Sequence, residues 1–567
     1  MILFLSLLLF LSQMMPAGND KDQNLSDITE LSLEELMNIK VNVGGRGEAR
    51  TVMDSLVPVK VISGSDLLLS GELSTGEAIR SLLPSFNYYR TSVTDGTDHV
   101  APSTLKGMGA DQILLLLNGK RWHQSALLHL NGTIGRGTNS IDFDSIPLEA
   151  IERIEILPDD ASAQYGSDAI AGIINIVLKR DFNSTISAYY RQSHENDGKL
   201  KATHVNLSAV GEEKYAIAIM AEYKNRGFTN RAGTDPRQQY FSDDPRNNDP
   251  AIKDRITHRF GEVQSDDFNL MLNGDWNIGD AIQLYTLASY SLRKGEAAGF
   301  FRRPLDRRNI IDVYPDGFLP LITPDVTNSA WLVGMKKDNI GGWRSDVSFS
   351  HAYHRFDFNV RNSLNTSFGT SSPKSFYSGS VIQMQTIFNA DFFRSMDIGL
   401  YSKLDVGLGM EFRHEKYTQL AGEPASYENG GIPILAGPHK GEIAPVGAQV
   451  YPGYTPDNAV SANRTNFALY LDLESAISEY LRIGTAGRYE RYSDFGNTYN
   501  GKISIRIKPI ESFSIRTTAG TGFRAPSLSQ SYFSATSSTF ITERFYIVGT
   551  YSVNHPLSKA LGATELK

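Results

Sequence analysis

Residues 151–180 read IERIEILPDDASAQYGSDAIAGIINIVLKR, two strand patterns joined by a tight turn within thirty residues. Ile154 and Ile156 alternate with Arg153 and Glu155, the period of a half-buried strand, whereas Ala171 to Val177 form a nearly unbroken apolar run that suits a buried one. Between them Ala161 to Tyr165 can make a helical turn, stopped by Gly166.

Upstream, Gln112 to Asn118 carries Ile113, Leu114, Leu115, Leu116 and Leu117 as a buried strand, and Asn118-Gly119 is a strong hairpin signal returning into Lys120-Arg121-Trp122. Val57, Val59 and Val61 alternate as a strand with Pro58 near its start. Asp66 to Leu69 and Gly76 to Leu83 read as short helices, the second stopped by Pro84. The whole is mixed α/β punctuation.

Downstream of Phe182 the period becomes two. Tyr215, Ile217, Ile219, Ala221 and Tyr223 point one way and Ala216, Ala218, Met220 and Glu222 the other. The bracketing tyrosines lie roughly 26 Å apart along a strand, which suits a hydrocarbon core with aromatic girdles. Leu404 to Phe412, Phe467 to Leu473 and Ile503 to Ile507 repeat the pattern. Tight turns at Ile278-Gly279-Asp280 and Pro509-Ile510-Glu511 alternate with long polar stretches near 227–264, 294–340 and 422–462. Short turns on one side and long loops on the other describe an outer-membrane barrel better than a soluble sandwich.

The 567 residues carry a net charge of −8 and no cysteine. That excludes disulfides, Cys-based metal sites and thiol nucleophiles, and argues against a nucleic-acid partner. No Ser-His-Asp arrangement, P-loop, GxGxxG or metal-spaced histidine pair appears, so no enzyme, catalytic residue, metal site or cofactor is expected. His123 and His129 read as ordinary polar positions. Met1 to Met15 has the length of a signal-peptide core, and a retained hydrophobic N-terminus is the alternative. Residues 16–30 are polar and acidic, and Ser32-Leu33-Glu34-Glu35 is a capping-box pattern opening a short helix.

The chain resembles TonB-dependent outer-membrane receptors. The resemblance rests on Ile151, Glu152, Arg153, Ile154 and Glu155 leading through Tyr165-Gly166 to Gly172 and Asn175. It rests also on Thr104 to Gly109 with Gly107, on Leu115 to Arg121 with Asn118 and Gly119, and on Phe523-Arg524-Ala525-Pro526 late in the chain. Asp159-Asp160 and Lys106 depart from the pattern, the latter standing where the family carries an arginine that meets the barrel. The resemblance implies an N-terminal mixed α/β plug domain followed by an antiparallel transmembrane β-barrel. The division is 1–17 signal peptide, 18–44 periplasmic tether, 45–181 plug and 182–567 partial barrel. About a dozen strands are counted against about 22 in such barrels, so a truncated chain, a fragment or half of a split receptor is expected.

By the same resemblance Val41, Asn42, Val43 and Gly44 stand where a Ton box would recruit the TonB-type energy-coupling protein by strand addition; the alternative makes Val41 and Val43 the first plug strand. Tyr88, Tyr89, Arg90, Asp95, Asp98 and His99, in a polar loop without strand pattern, and Arg121 and Trp122 are candidate ligand contacts; packing against the barrel is the alternative. Phe300, Phe301, Arg302, Arg303, Tyr314, Trp331 and Trp343 suit an anionic or aromatic chelate or simply the packing of long loops. The expected function is energy-coupled uptake of a scarce nutrient such as an iron-siderophore complex across the outer membrane of a Gram-negative bacterium, with lipid around the wall. Many modest polar contacts, rather than an apolar core, are expected to hold the plug. The alternatives are a non-transporting binding module and a passive porin-like barrel.

Overall fold

The computed structural model describes residues 40–41, 50–51, 55–158, 161–180, 182–211, 214–279, 281–510, 513–541 and 544–566. The leader, the tether up to residue 39, the capping-box pattern, Asn42, Val43, Gly44, Asp159-Asp160, Asp280 and Glu511 lie outside the described residues.

The plug is built on a five-stranded sheet of β3 (Lys60–Ser63), β6 (Ile113–Leu117), β7 (Lys120–Arg121), β8 (Ile151–Leu157) and β9 (Gly172–Leu178), in spatial order β3-β8-β9-β6-β7. Only β6 and β9 run parallel. Every residue of β6 is buried, as a strand covered on both faces requires. Asn118 and Gly119 turn the chain into β7 with φ of 50° and 80°, the backbone a two-residue hairpin needs. Helix α1 (Gly64–Leu69) starts at a reciprocal cap between Ser63 and Asp66, α2 (Thr75–Leu82) ends before Pro84, and α3 (Ser162–Tyr165) is stopped by Gly166 at φ 90°. A separate hairpin joins β4 (Phe86–Tyr88) to β5 (Ser103–Leu105), and β1 (Lys40–Val41) pairs with β2 (Arg50–Thr51).

Three expectations are corrected. The strand read from Val57 begins only at Lys60; Pro58 cannot donate to a ladder, and Val57 and Val59 are buried in an irregular approach. Tyr88 belongs to a strand and is buried, not part of a patternless loop. Strand β8 is not half-buried: Glu155 is enclosed, because Arg153 pairs with it at 3.0 Å and Asn175 donates to it at 3.0 Å.

Gly172 has φ +139°, and a Cβ there would meet the Leu157 carbonyl, with Leu105 Cδ2 at 3.2 Å and Pro158 Cα at 3.3 Å. Gly172→Ala is therefore expected to destabilise the plug by about 1–3 kcal/mol, visible as a lower urea midpoint for loss of its tertiary signal. An unchanged midpoint would refute the assignment of this glycine to a close strand crossing.

Around the plug runs an antiparallel wall. Its strands are β10 (Thr185–Arg191), β11 (Leu200–Gly211), β12 (Tyr215–Arg226), β13 (Gln264–Ile278), β14 (Ile282–Ala298), β15 (Leu321–Ile322), β16 (Asp325–Ile340), β17 (Trp343–Arg361), β18 (Phe376–Met396), β19 (Leu404–Leu420), β20 (Val460–Ala476), β21 (Leu481–Tyr492), β22 (Gly496–Ile510) and β23 (Phe513–Gly520). Among the described residues no ladder joins β10 to β23. A last hairpin, Ala535–Ile541 with Arg544–Thr550, stands apart from this sheet. No described helix is long and apolar enough to cross a membrane; the crossing elements are strands.

The alternation is as the sequence requires: Phe467, Leu469 and Leu471 are exposed outward while Ala468, Tyr470 and Asp472 are buried inward. One end of the wall has tight turns, as at Gly279, and the other carries long connections. The stretch 294–340 is not one loop. Strand β14 continues to Ala298 and β16 occupies Asp325–Ile340, because lumen-facing positions such as Asn328 are polar without being in loops. Trp331 accordingly faces outward on β16, 5.4 Å from the ring of Phe349, and Trp343 opens β17 beside a tight turn.

The plug's seating is also less polar than expected. Its apolar core, from Ile62 to Leu178, continues into the wall through Ala218, Met220, Met271, Leu287, Ala330 and Ala352.

Candidate functional site

The residues carrying the sequence motifs are brought together as structural ties. Asn175 Oδ1 accepts from Gly119 N at 2.9 Å, while Asn118 Oδ1 accepts from Leu178 N at 2.9 Å and its Nδ2 donates to Asn273 of the wall at 3.0 Å. Arg121 pairs with Asp168 at 2.7 Å and donates to the Ser167 carbonyl at 2.7 Å, clamping the turn after Gly166. A Cβ on Gly166 would come within 2.7 Å of the Arg488 guanidinium, so glycine lets the wall approach there. Gly107 has φ 75°, and the Lys106 ammonium beside it reaches the Pro158 carbonyl within the plug. Ile151 and Ile154 are core residues and Glu152 pairs with Arg153. Arg524 spans from the wall to the plug, donating to the Asp111 carbonyl at 2.6 Å and pairing with its carboxylate at 3.1 Å; Ala525 is buried beside it. Phe523 lies 5.6 Å from the Phe495 ring, and the Pro526 carbonyl accepts from Arg464 at 2.6 Å. Val41 is buried with Val57, Val59 and Leu114, so the described part of the Ton-box-like segment lies as a strand on the plug.

Several candidate ligand residues are placed away from the apex surface. Arg90 is buried between Glu77, at 2.7 Å, and Asp144, at 2.6 Å. Burial works to raise the Asp144 pKa, but the Arg90 and Arg293 guanidinium groups outweigh it and hold the carboxyl well below its ordinary range. Asp98 and His99 are buried too; desolvation pushes Asp98 up to about 8 and His99 down to about 3. Trp122 is buried, and Tyr89 is half-buried beside Arg90.

Histidine 129 bridges Thr97 at 3.2 Å and Ser140 at 2.9 Å in the apical plug, and desolvation lowers its pKa to about 4 from 6.5. A lowered folded value means that its contribution is whole above pH 6.5 and is lost as pH falls through about 4. The wild-type plug is therefore expected to lose about 3 kcal/mol relative to His129→Gln between pH 7 and pH 4, read from paired urea titrations. A pH-independent difference would contradict this placement.

Above the plug lies a cavity of about 620 Å³. The plug apex contributes Asp95 and the segment from Leu127 to Arg136, the connection between β14 and β15 contributes Arg302, Asp306, Arg307 and Arg308, and the connection between β19 and β20 contributes Tyr451 and Tyr454. Phe358 and Tyr451 stack with centroids 4.3 Å apart and planes at 4°, the two tyrosine hydroxyls lie 2.6 Å apart, and Phe533 meets Tyr454 edge-on at 5.9 Å.

Its charge is cationic. Arg308 is paired with Asp306 at 2.9 Å, and Arg307 contacts His439 at 2.6 Å and Glu442 at 3.5 Å. Arg302 has only neutral hydrogen-bond partners, Gln449 at 3.2 Å and the Phe300 carbonyl at 2.9 Å. Burial, reinforced by neighbouring Arg308, lowers it to about 9. Arg136 is exposed and its side chain makes no hydrogen bond or ion pair with another described residue. A site of this kind attracts a planar, anionic, aromatic ligand. Among the described residues no group of three or more metal-ligating side chains occurs.

Of the loop aromatics and arginines singled out in the sequence, Arg302 lines this cavity. Phe300 and Phe301 pack around His258, Tyr314 stacks on Phe318, and Arg303 donates to the Gln238 carbonyl at 2.7 Å. Arg136, Phe358, Tyr451 and Tyr454 were missed, having no periodic or motif signal.

Residues 51–173 match the family model described as the TonB-dependent Receptor Plug Domain, and residues 220–556 that described as TonB dependent receptor-like, beta-barrel. The iron-regulated outer membrane virulence protein of Vibrio cholerae is 33% identical over 139 residues, 24% of this chain and 20% of that protein. The ferrienterobactin receptor of Escherichia coli K12 is 29% identical over 136 residues, 23% of this chain and 18% of its own length. The crystal structure of the siderophore receptor PirA from Acinetobacter baumannii superposes with a TM-score of 0.58 at 15% identity, covering 84% of this chain and 63% of that one. The matches thus span about a fifth of the curated relatives and under two thirds of the solved one.

Proposed function

Because this chain belongs to the family of TonB-dependent receptors, its plug seated in a β-barrel wall, we propose that it works in the outer membrane of a Gram-negative bacterium as a receptor and importer of an anionic iron chelate. The observation that carries this reading is the apical cavity, where Arg136 and Arg302 have no carboxylate partner beside a stacked phenylalanine–tyrosine wall. A ferric catecholate presents the negative charge and the flat rings such a site takes up. The relatives named for iron or siderophores support the same class of ligand.

In this reading 45–181 is the plug, 182–567 belongs to the wall, and Val41 to Gly44 is the segment offered to a TonB-type partner. No side chain needs to break a covalent bond: recognition is by charge and stacking, and work is supplied from outside. A passive pore is disfavoured because the plug fills the lumen with buried contacts such as Arg293–Asp142 at 3.2 Å.

The test is a titration of the full chain in detergent with a ferric catecholate, a ferric hydroxamate and cobalamin, read by fluorescence quenching. Saturable binding preferring the catecholate is expected. Preference for cobalamin, or no saturable binding, would overturn the ligand class.

A further inference from the structure

On the outer face of the wall, phenylalanines stand side by side across adjacent strands. Phe349 of β17 pairs with Phe388 of β18, Phe388 with Phe412 of β19, and Phe412 with Phe467 of β20. Phe349, Phe412 and Phe467 are exposed, and Trp331 of β16 extends the band, its ring 5.4 Å from that of Phe349. Two residues further along each strand, toward the long connections, the same face turns polar. That rung reads His351, Thr386, His414 and Thr465, and the next reads Tyr353, Met384, Lys416 and Asn463.

The polar rung begins 8 residues above the tight-turn end on β17, from Trp343 to His351, and 11 above it on β20, from Ala476 to Thr465. At about 3.3 Å per residue and a strand tilt near 40°, that is roughly 20–28 Å of height, close to the apolar band of about 25 Å that a membrane barrel presents. The change from phenylalanine to polar side chains therefore falls at headgroup level on the side of the long connections.

Charge is sorted between the two faces here. Glu415 and Glu490 point into the lumen, where they meet Arg464 at 2.7 Å and Arg488 at 3.2 Å. At this height and above it, no described carboxylate faces outward on β18 to β21. On β17 the outward Arg355 is paired with Asp357 at 2.7 Å, and His351 bonds Thr386 Oγ1 at 2.9 Å. By contrast His414 and Lys416, both half-buried on the outer face of β19, make no side-chain hydrogen bond or ion pair with another described residue. A cation held at the edge of the hydrocarbon with no carboxylate beside it is matched by an anion of the surrounding lipid.

We propose that the outer face of β17 to β20 is a binding site for an anionic lipid. Its acyl chains lie along the phenylalanine band, and its headgroup phosphate accepts from Lys416 and His414, with Thr386, Thr465 and Asn463 as neutral donors around it. This rests on the outer-membrane placement proposed above and on nothing about cargo.

Trp331 reports contact with this face. The full chain in zwitterionic detergent is titrated with phosphatidic acid and with phosphatidylcholine, each with brominated acyl chains, and the part of the fluorescence quenching that Trp331→Phe removes is followed. Half-maximal quenching is expected at an at least tenfold lower mole fraction of phosphatidic acid. The preference should shrink to within twofold in the His414→Gln, Lys416→Gln variant and persist in Lys416→Arg, which keeps the charge. Both positions face outward, so the substitutions leave the packed interior alone. Equal quenching by the two lipids, a preference that survives loss of both side chains, or its loss in Lys416→Arg overturns the proposal. So does protection of Trp331 from both lipids, the result that a second copy of the chain seated on this face would give. Failure of chelate binding would leave these readouts unmoved, so the two readings fail separately.

Discussion

Arg293→Met is expected to weaken the seating of the plug in the wall by about 3–5 kcal/mol, the cost of leaving buried carboxylates without their shared cation. Arg293 projects inward from β14. Its guanidinium binds Asp267 of the wall, pairs with Asp142 of the plug at 3.2 Å, and donates to the His99 carbonyl at 2.7 Å. All three residues are buried, so water cannot replace the lost partner without the plug moving. Trp122, the plug's one tryptophan, reports that movement in a variant whose wall tryptophans are phenylalanine. The urea midpoint for its exposure should fall steeply in Arg293→Met and recover when Asp142→Asn and Asp267→Asn are added, because neutral amides no longer need the cation. A shift below about 1 kcal/mol would mean that the cluster is solvated and does not hold the plug.

The second large effect is on recognition. Arg136→Gln and Arg302→Gln are each expected to cost about 1.5–3 kcal/mol in ferric catecholate binding, roughly 10- to 100-fold in Kd, since each removes a charged donor that lacks a carboxylate partner in the free protein. Arg308→Gln should cost less, because Arg308 already spends its charge on Asp306 at 2.9 Å. Binding should weaken with salt in the wild type, and less steeply in the double variant. Equal losses at all three positions would indicate a general field rather than direct contact. No loss at Arg136 or Arg302 would move the ligand out of this cavity.

What was legible in the chain follows from the range of the interactions. The wall's alternation is local: a strand with one face in lipid must write Phe467, Leu469 and Leu471 against Ala468, Tyr470 and Asp472. Asn118-Gly119 is local too, a matter of two positive φ angles. The site is not. Arg90 finds Asp144 across 54 residues, and Glu155 is enclosed because Asn175 reaches it from the next strand, so neither burial could be read from neighbours in sequence. The same limit hid β16, whose lumen face is polar enough to pass for a loop. It also scattered the cavity over three parts of the chain, with Arg136 on the plug, Arg302 between two wall strands and Tyr451 more than a hundred residues later.

The plug is held by two kinds of contact with different responses to force. Apolar continuity with β12 to β17 is short-ranged and expensive to wet, whereas the buried ion pairs hold firmly only while both partners stay in place.

Uptake of radioactive iron, supplied as a ferric catecholate to cells that express this chain and lack their own catecholate receptors, tests the account most directly. The account predicts accumulation that stops when the inner-membrane proton gradient is collapsed and falls by at least tenfold in the Arg136→Gln, Arg302→Gln variant. Accumulation that continues without the gradient, or that ignores both substitutions, would contradict it.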